Sequence, residues 1–227
     1  MARSETELRA IYQHTAAQHG VKADYLAIDL SVSGAPQRVA DWCTHKNYAI
    51  TMLVNNAGYG LSGNFESQSL EDNLNVVQLN VVALMQLCQL FLPQLKKQPK
   101  AYILNIASTA AYQAVPGLGL YAATKSLVLS FSRALSYELR ASTVLVTAVS
   151  PGATETAFVD RAKIGEKGRR AAAKVNMQPQ EVAKIAVEAT LAGKTEVVVG
   201  WLNKLTIFGV WLLPKRLIEK LAAGIYE

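Results

Sequence analysis

The sequence predicts an α/β domain built on a parallel sheet, and three observations carry that expectation. Short apolar runs alternate with longer amphipathic stretches along the chain. The runs are continuously apolar, as strands buried on both faces are. Several of them end in polar residues or glycine: Asn55-Asn56-Ala57-Gly58, Ser108 and Pro151-Gly152. With 227 residues, 51% hydrophobic and 18% charged, the chain can bury a sizeable core and is too apolar for disorder. It shows no internal repeat and no low-complexity tract, so residues 1–227 are expected to form a single domain, with an apolar C-terminal segment at 201–227.

In order, residues 4–19 read as a surface helix with Leu8, Ile11 and Tyr12 on one side. DYLAIDL (24–30) reads as a short buried strand. Residues 35–47 form a second helix that turns Val39, Trp42 and Cys43 inward. AITMLVN (49–55) is a buried strand followed by a glycine-rich loop to Gly63. A long helix is expected over 70–95, stopped by Pro93 and the lysines beyond it. AYILNIA (101–107), a helix at 120–140 and TVLVTAV (143–149) follow. After Pro151-Gly152 the chain reads as irregular to about 175, then as a helix at 179–192 and a last strand at 195–200.

Composition excludes several function classes. The formal net charge is +6, but no dense Lys/Arg run and no basic-aromatic interleaving accompanies it, so nucleic acid is not the expected partner and a solvated basic surface is. Cys43 and Cys88 have neither CxxC nor ligand spacing and read as reduced, partly buried thiols of a cytoplasmic protein. His14, His19 and His45 are scattered, and no metal site is expected. The first twenty residues are polar and mixed in charge, unlike a signal peptide. Residues 196–214 approach the length of a bilayer span, yet Glu196, Asn203, Lys204 and two glycines interrupt them. A core strand followed by a partly exposed amphipathic helix fits that segment better.

The sharpest chemical signal is Tyr121-Ala-Ala-Thr-Lys125. Tyr and Lys four apart on a helix project from the same face. A phenol ordinarily ionises near pH ~10, and a neighbouring ammonium favours the phenolate, which suits proton exchange with a carbonyl or alcohol oxygen. YxxxK alone is a weak motif, and its context supplies the specificity. Ser108 stands at the carboxyl end of a parallel strand, where α/β sheets present ligand groups. Asn56, Ala57 and Gly58 end another strand, and Pro151-Gly152 a third. Asn80 sits mid-helix, where an amide is a poor helix former.

NNAG, a mid-helix Asn, Ser, YxxxK and PG, in that order, resemble the short-chain dehydrogenase/reductases from about Ala2 to Thr156 and more loosely beyond. The resemblance implies a Rossmann-like doubly wound sheet with strand order 3-2-1-4-5-6 and a nicotinamide cofactor at the crossover. It implies that Tyr121 is general acid in reduction and base in oxidation. Lys125 assists it and bonds the nicotinamide ribose, Ser108 holds the substrate oxygen, and Asn80 supports a proton-relaying water. Asp29 and Leu30 match the pair beside the adenine. Asn56, Ala57 and Gly58 match the cleft lining, and Pro151, Gly152, Thr154 and Thr156 the loop on the nicotinamide side. Arg3 matches a cation on the 2′-phosphate, which favours NADP over NAD. The family also implies packing of its long helices into a homodimer or homotetramer.

One part of the family pattern is not matched. Ala2-Arg3-Ser4 resembles the end of the second strand, so the pyrophosphate-binding glycine loop is expected about 30 residues upstream, one βαβ unit away. With that first unit missing or incomplete, strand edges and helix faces would be exposed and the anion-binding helix N-terminus absent. Gly58-Tyr59-Gly60-Leu61-Ser62-Gly63 matches G-x-G-x-x-G literally, but it opens no helix at once and has no acidic residue about 20 positions on. It reads as the NNAG loop with extra glycines.

The apolar C-terminal segment, with Trp201, Phe208 and Trp211 among Lys204, Lys215, Arg216 and Lys220, has three readings: a cover for a lipophilic substrate, a peripheral membrane contact, or a dimer contact. Two functions are thus in view. One is hydride transfer between NAD(P)(H) and a carbonyl or secondary alcohol. The other is a non-catalytic remnant of the fold that binds a partner or a membrane.

Overall fold

The computed structural model describes residues 1–156, 158–162, 164–173 and 176–226. Helix α1 (Glu5–His19) is opened by Ser4, whose Oγ accepts the Glu7 N–H at 3.3 Å, and closed by Gly20 at φ 60°. Helix α2 (Ala35–His45) carries Pro36 in its first turn. Strand β1 (Met52–Asn55) follows. The helix expected over 70–95 runs as α3 (Leu70–Val77), a π-helical segment Gln78–Ala83 and α4 (Leu84–Leu95). Pro93 lies inside α4 and does not stop it. In the last turn a proline removes one bond from a helix that is already formed.

Next come β2 (Ala101–Ile106), α5 (Gly119–Glu138) and β3 (Val144–Ser150). The stretch read as irregular holds two short helices, α6 (Phe158–Arg161) and α7 (Glu166–Ala173). Exposed ion pairs accompany them: Arg169–Asp160 at 2.6 Å and Arg170–Glu166 at 2.9 Å. These pairs form only once the chain has turned, so apolar periodicity does not report them. Helix α8 (Pro179–Leu191), strand β4 (Glu196–Val198), α9 (Trp201–Leu212) and α10 (Lys215–Tyr226) complete the chain, with Pro214 between the last two.

The strands form one parallel sheet in the order β1-β2-β3-β4. Leu53 pairs with Ile103, Ile103 with Val146, and Val149 with Val197. Side chains alternate between two faces. Leu53, Ile103 and Val146 point into a core shared with Val39, Leu87, Phe91, Leu95 and Val128 of α2, α4 and α5. Leu104 and Val149 point the other way, against Ala186 of α8 and Val199. Both faces of the central strands are covered, which is why their sequences are continuously apolar.

The expected strand at 24–30 is not one. It makes a single parallel bridge, Ala27 with Ala2, with Ile28 N–H donating to the Ala2 carbonyl at 2.9 Å. A ladder needs a partner of several residues, and here the extended backbone faces only Ala2. Ile28 is nevertheless buried in the main core, so the apolar pattern reported burial and not pairing. The far edge of β1 is open as well, and Val54 remains 49% exposed. Leu70–Leu95 is long and apolar enough to cross a membrane, but half of it is buried against the protein.

Candidate active site

Beside the open edge of β1 lies a cleft of about 330 Å³. Arg3, Asp29, Leu30, Asn56, Ala57 and Gly58, separated widely in sequence, all line it. Arg3 Nη1 stands 3.6 Å from Asp29 Oδ2. Burial pushes the Asp29 carboxyl upward, but two hydrogen bonds from Ser31 and the charges of Arg3 and Arg161 outweigh this and hold it below the usual carboxylate range. Arg161 of α6 is a lining residue that sequence reasoning missed. Its guanidinium lies over the Tyr59 ring at 4.2 Å. Burial and the neighbouring Arg3 lower its pKa. No motif marks it; only the fold of the segment after β3 brings it to the cleft.

Deeper in, the π-helical segment places Asn80, which is 1% exposed. Its Oδ1 accepts the Tyr59 N–H at 3.0 Å, while its Nδ2 donates to the Tyr59 carbonyl at 2.9 Å and to Thr124 Oγ1 at 3.1 Å. The amide thus clamps the loop after β1 to helix α5. A widened helical turn at such a position is frequent at functional sites. A Cβ on Gly58 would stand 3.0 Å from Asn80 Oδ1 and in ordinary contact, 3.4 Å, with Lys125 Nζ, so glycine is what lets the loop approach Asn80 closely.

Lys125 is 5% exposed, and its ammonium donates to the Ile106 carbonyl at 2.7 Å. No carboxylate among the described residues forms an ion pair with it, and burial pushes its pKa down to about 8. It stands 5.9 Å from the Tyr121 ring centroid. On the same helix, Tyr121 packs at the edge of a small apolar cluster of Val115, Leu118, Ala122 and Ala222. Its ring meets that of Phe158 at 5.1 Å. A side chain at Gly60 would crowd both rings, since a Cβ would lie 3.0 Å from Tyr121 and 3.2 Å from Phe158. The literal G-x-G-x-x-G is therefore a packing loop. Ser108 lies two residues beyond β2 and caps a short turn, its Oγ accepting the Ala110 N–H at 3.1 Å. That turn is tied to α5 by Ser126 Oγ donating to the Ala111 carbonyl at 2.6 Å.

Pro151, Gly152, Thr154 and Thr156 follow β3 on the same carboxyl edge of the sheet, outside the cleft lining. The Pro151 carbonyl accepts the Thr109 N–H at 2.9 Å, which joins this loop to the turn after Ser108. Thr154 bridges Met177 and closes the base of the loop. Asn203 of α9, also missed from sequence, covers Gly152 so closely that a Cβ there would fall 2.5 Å from it.

Ser108 follows β2 and Tyr121 and Lys125 stand on α5, all three outside the cleft lining, while the cleft opens beside the carboxyl end of β1, the edge at which α/β sheets place ligands. Comparison with known proteins narrows the class. Residues 1–167 match the family model described as short chain dehydrogenase, and the chain belongs to that family. A 3-ketodihydrosphingosine reductase of Bacteroides thetaiotaomicron is 28% identical over 145 residues, covering 64% of this chain and 54% of the relative. A ketoacyl reductase, HetN, of Nostoc is 31% identical over 152 residues, 66% of this chain and 51% of the relative. The chain thus spans about half the length of these curated relatives. Among solved structures, a 7beta-hydroxysteroid dehydrogenase superposes with a TM-score of 0.83 at 21% identity, covering 98% of this chain and 83% of that one. A short-chain dehydrogenase from Sphingobium yanoikuyae in complex with NADPH gives 0.75 at 26% identity, covering 91% of this chain and 80% of that one.

Proposed function

We propose that the protein is an NAD(P)-dependent oxidoreductase that reduces a carbonyl, or oxidises the matching secondary alcohol, on a lipophilic substrate. The observation that carries this reading is Lys125: a buried ammonium with no carboxylate partner among the described residues, one helical turn from Tyr121 on the same face. Buried titratable groups with perturbed charge cluster at functional sites.

The cleft suits a dinucleotide on three grounds. Arg3 and Arg161 supply positive charge at a shared wall. Asn55 Oδ1 is buried there without a partner, and Gly58, which lines the cleft, packs directly against Asn80 and Lys125. Arg3, Arg161, Asp29 and Leu30 would hold the adenosine end, and Asn56, Ala57 and Gly58 the adjoining part. The two arginines favour the phosphorylated form, NADP. Bound, the nicotinamide supplies or takes up the hydride.

The protein's own groups then do the following. Ser108 Oγ donates a hydrogen bond to the substrate oxygen, and Tyr121 Oη gives that oxygen its proton in reduction and removes it in oxidation. The Lys125 ammonium keeps the phenolate accessible, and Asn80 holds the loop and helix that carry both. Val115, Leu118 and Ala122, all buried, and Phe158 form the apolar wall against which Tyr121 packs, and a lipophilic substrate suits such surroundings. Two relatives named for keto substrates, 3-ketodihydrosphingosine reductase and ketoacyl reductase, support the same direction. Exposed Leu70, Leu74, Leu127 and Tyr137 on the long helices offer a surface for a homodimer or homotetramer.

The test is an NADPH titration of the 227-residue protein followed by cofactor fluorescence, with NADH as comparison, then a ketone screen. Tyr121→Phe is expected to lower turnover by about 10²- to 10⁴-fold and to leave NADPH binding in place. Retained turnover would remove Tyr121 from the proposed role. Failure of the folded protein to bind either cofactor would favour the remnant reading.

A further inference from the structure

Helix α9 is apolar nearly all round, yet among its twelve residues only Val210 is buried. A helix of that composition is ordinarily enclosed by protein or lipid. At 100° per residue, Trp201, Leu205, Phe208 and Leu212 fall within one narrow stripe, directly opposite Val210. They are 69%, 58%, 60% and 65% exposed. Trp211, 76% exposed, and Lys204 lie together along one side of that stripe. The patch continues through Leu213 into α10, where Ile218 and Ala222 turn inward while Leu217 and Leu221 stay outside. The three aromatic rings alone expose on the order of 400 Å², which matches the largest patch on a typical monomer before any leucine is added.

The charges around the patch select its occupant. Lys204, Lys215, Arg216 and Lys220 border it and are exposed, against one anion, Glu219, in the same two helices. A second copy seated face to face would bring like charges together. An anionic bilayer surface complements them, with tryptophans at headgroup depth and lysine stems lying along the apolar stripe. We infer that α9 and α10 form a membrane-docking face that lies in the interface of an anionic bilayer, burying Trp201, Phe208 and Trp211. Docking does not depend on the oxidoreductase reading. Where that reading also holds, Ala222 packs with Ala122 and Leu118 beside Tyr121, so docking places the Tyr121 wall next to the lipid.

The experiment uses the full chain with Trp42→Phe, which leaves Trp201 and Trp211 as the only reporters, and vesicles of phosphatidylcholine with or without one-third phosphatidylglycerol. With anionic vesicles we expect co-sedimentation and a blue-shifted emission quenched by brominated acyl chains. Raising salt from about 0.1 to about 0.5 M should weaken binding. Phe208→Glu, on an exposed position that leaves the core intact, should lower partitioning at least tenfold with an unchanged circular dichroism spectrum. Three results would overturn the inference: no binding of the folded protein to anionic vesicles, binding that Phe208→Glu does not weaken, or a vesicle-indifferent dimer in sedimentation velocity that Phe208→Glu dissociates.

Discussion

Lys125 is the residue on which the proposed chemistry and the stability meet. Its ordinary pKa of 10.5 falls to about 8 in the fold because burial penalises the charge. The unfolded chain therefore binds the proton more tightly than the native one. Below about pH 8 the native ammonium is charged and the full penalty applies. Between about 8 and 10.5 the native amine is neutral while the unfolded one stays protonated, so this group's contribution to stability rises with pH through that window. The difference amounts to about 3 kcal/mol at ~1.4 kcal/mol per pKa unit. Other groups titrate there too, Cys88 among them, so the comparison must be with Lys125→Met. The expected outcome of urea melts at pH 7.5 and 9.5 is that Lys125→Met is the more stable protein at the lower pH and loses much of that advantage at the higher. An advantage independent of pH would mean that the native ammonium is not depressed. The motif Tyr121–Lys125 was legible in sequence because helical spacing alone puts both side chains on one face. The depressed charge was not, because burial is made by the Ile106 strand end, Gly58 and Asn80 together.

At the scale of elements, the junction of the β1 loop, the π-helical segment and α5 decides the site. Asn80 is the pin, with hydrogen bonds to Tyr59 and Thr124, and Gly58 is the clearance. Asn80 cannot retreat, since it is buried and already bonded, so a methyl group at residue 58 has to displace the loop. Gly58→Ala is expected to cost about 1–3 kcal/mol in a denaturant titration and to weaken NADPH binding along with it. A fully stable variant with unchanged binding would show that the loop relaxes freely. Sequence periodicity located the helix at 70–95 and picked Asn80 as anomalous within it. The six-residue π-helical turn that aims the amide escaped it, because the period of the apolar pattern barely changes over so short a stretch.

Over the whole molecule, the sheet is closed by α8 and by the core of α2, α4 and α5 on its two faces, but the edge of β1 remains open onto the cleft. Two arginines, Arg3 from the start of the chain and Arg161 from α6, meet at that cleft across most of the sequence. Arg161→Ala is expected to reduce the preference for NADPH over NADH about fivefold or more, as loss of one partly exposed charge contact of about 1 kcal/mol would. The thermal shift given by NADPH should also become less sensitive to salt. Equal effects on both cofactors would assign Arg161 to packing on Tyr59 instead.

By itself the sequence determined the parallel α/β class and most helices and strands, because these follow from local periodicity, and the order of NNAG, Asn80, Ser108, YxxxK and PG carried the family resemblance. Only the tertiary structure decided that 24–30 pairs through a single bridge, that Arg161 and Asn203 reach the site, and that α9 turns its tryptophans outward. Pairing, long-range approach and exposure depend on what lies opposite a residue in space. A one-dimensional pattern reports how apolar a segment is, but not which surface is there to cover it.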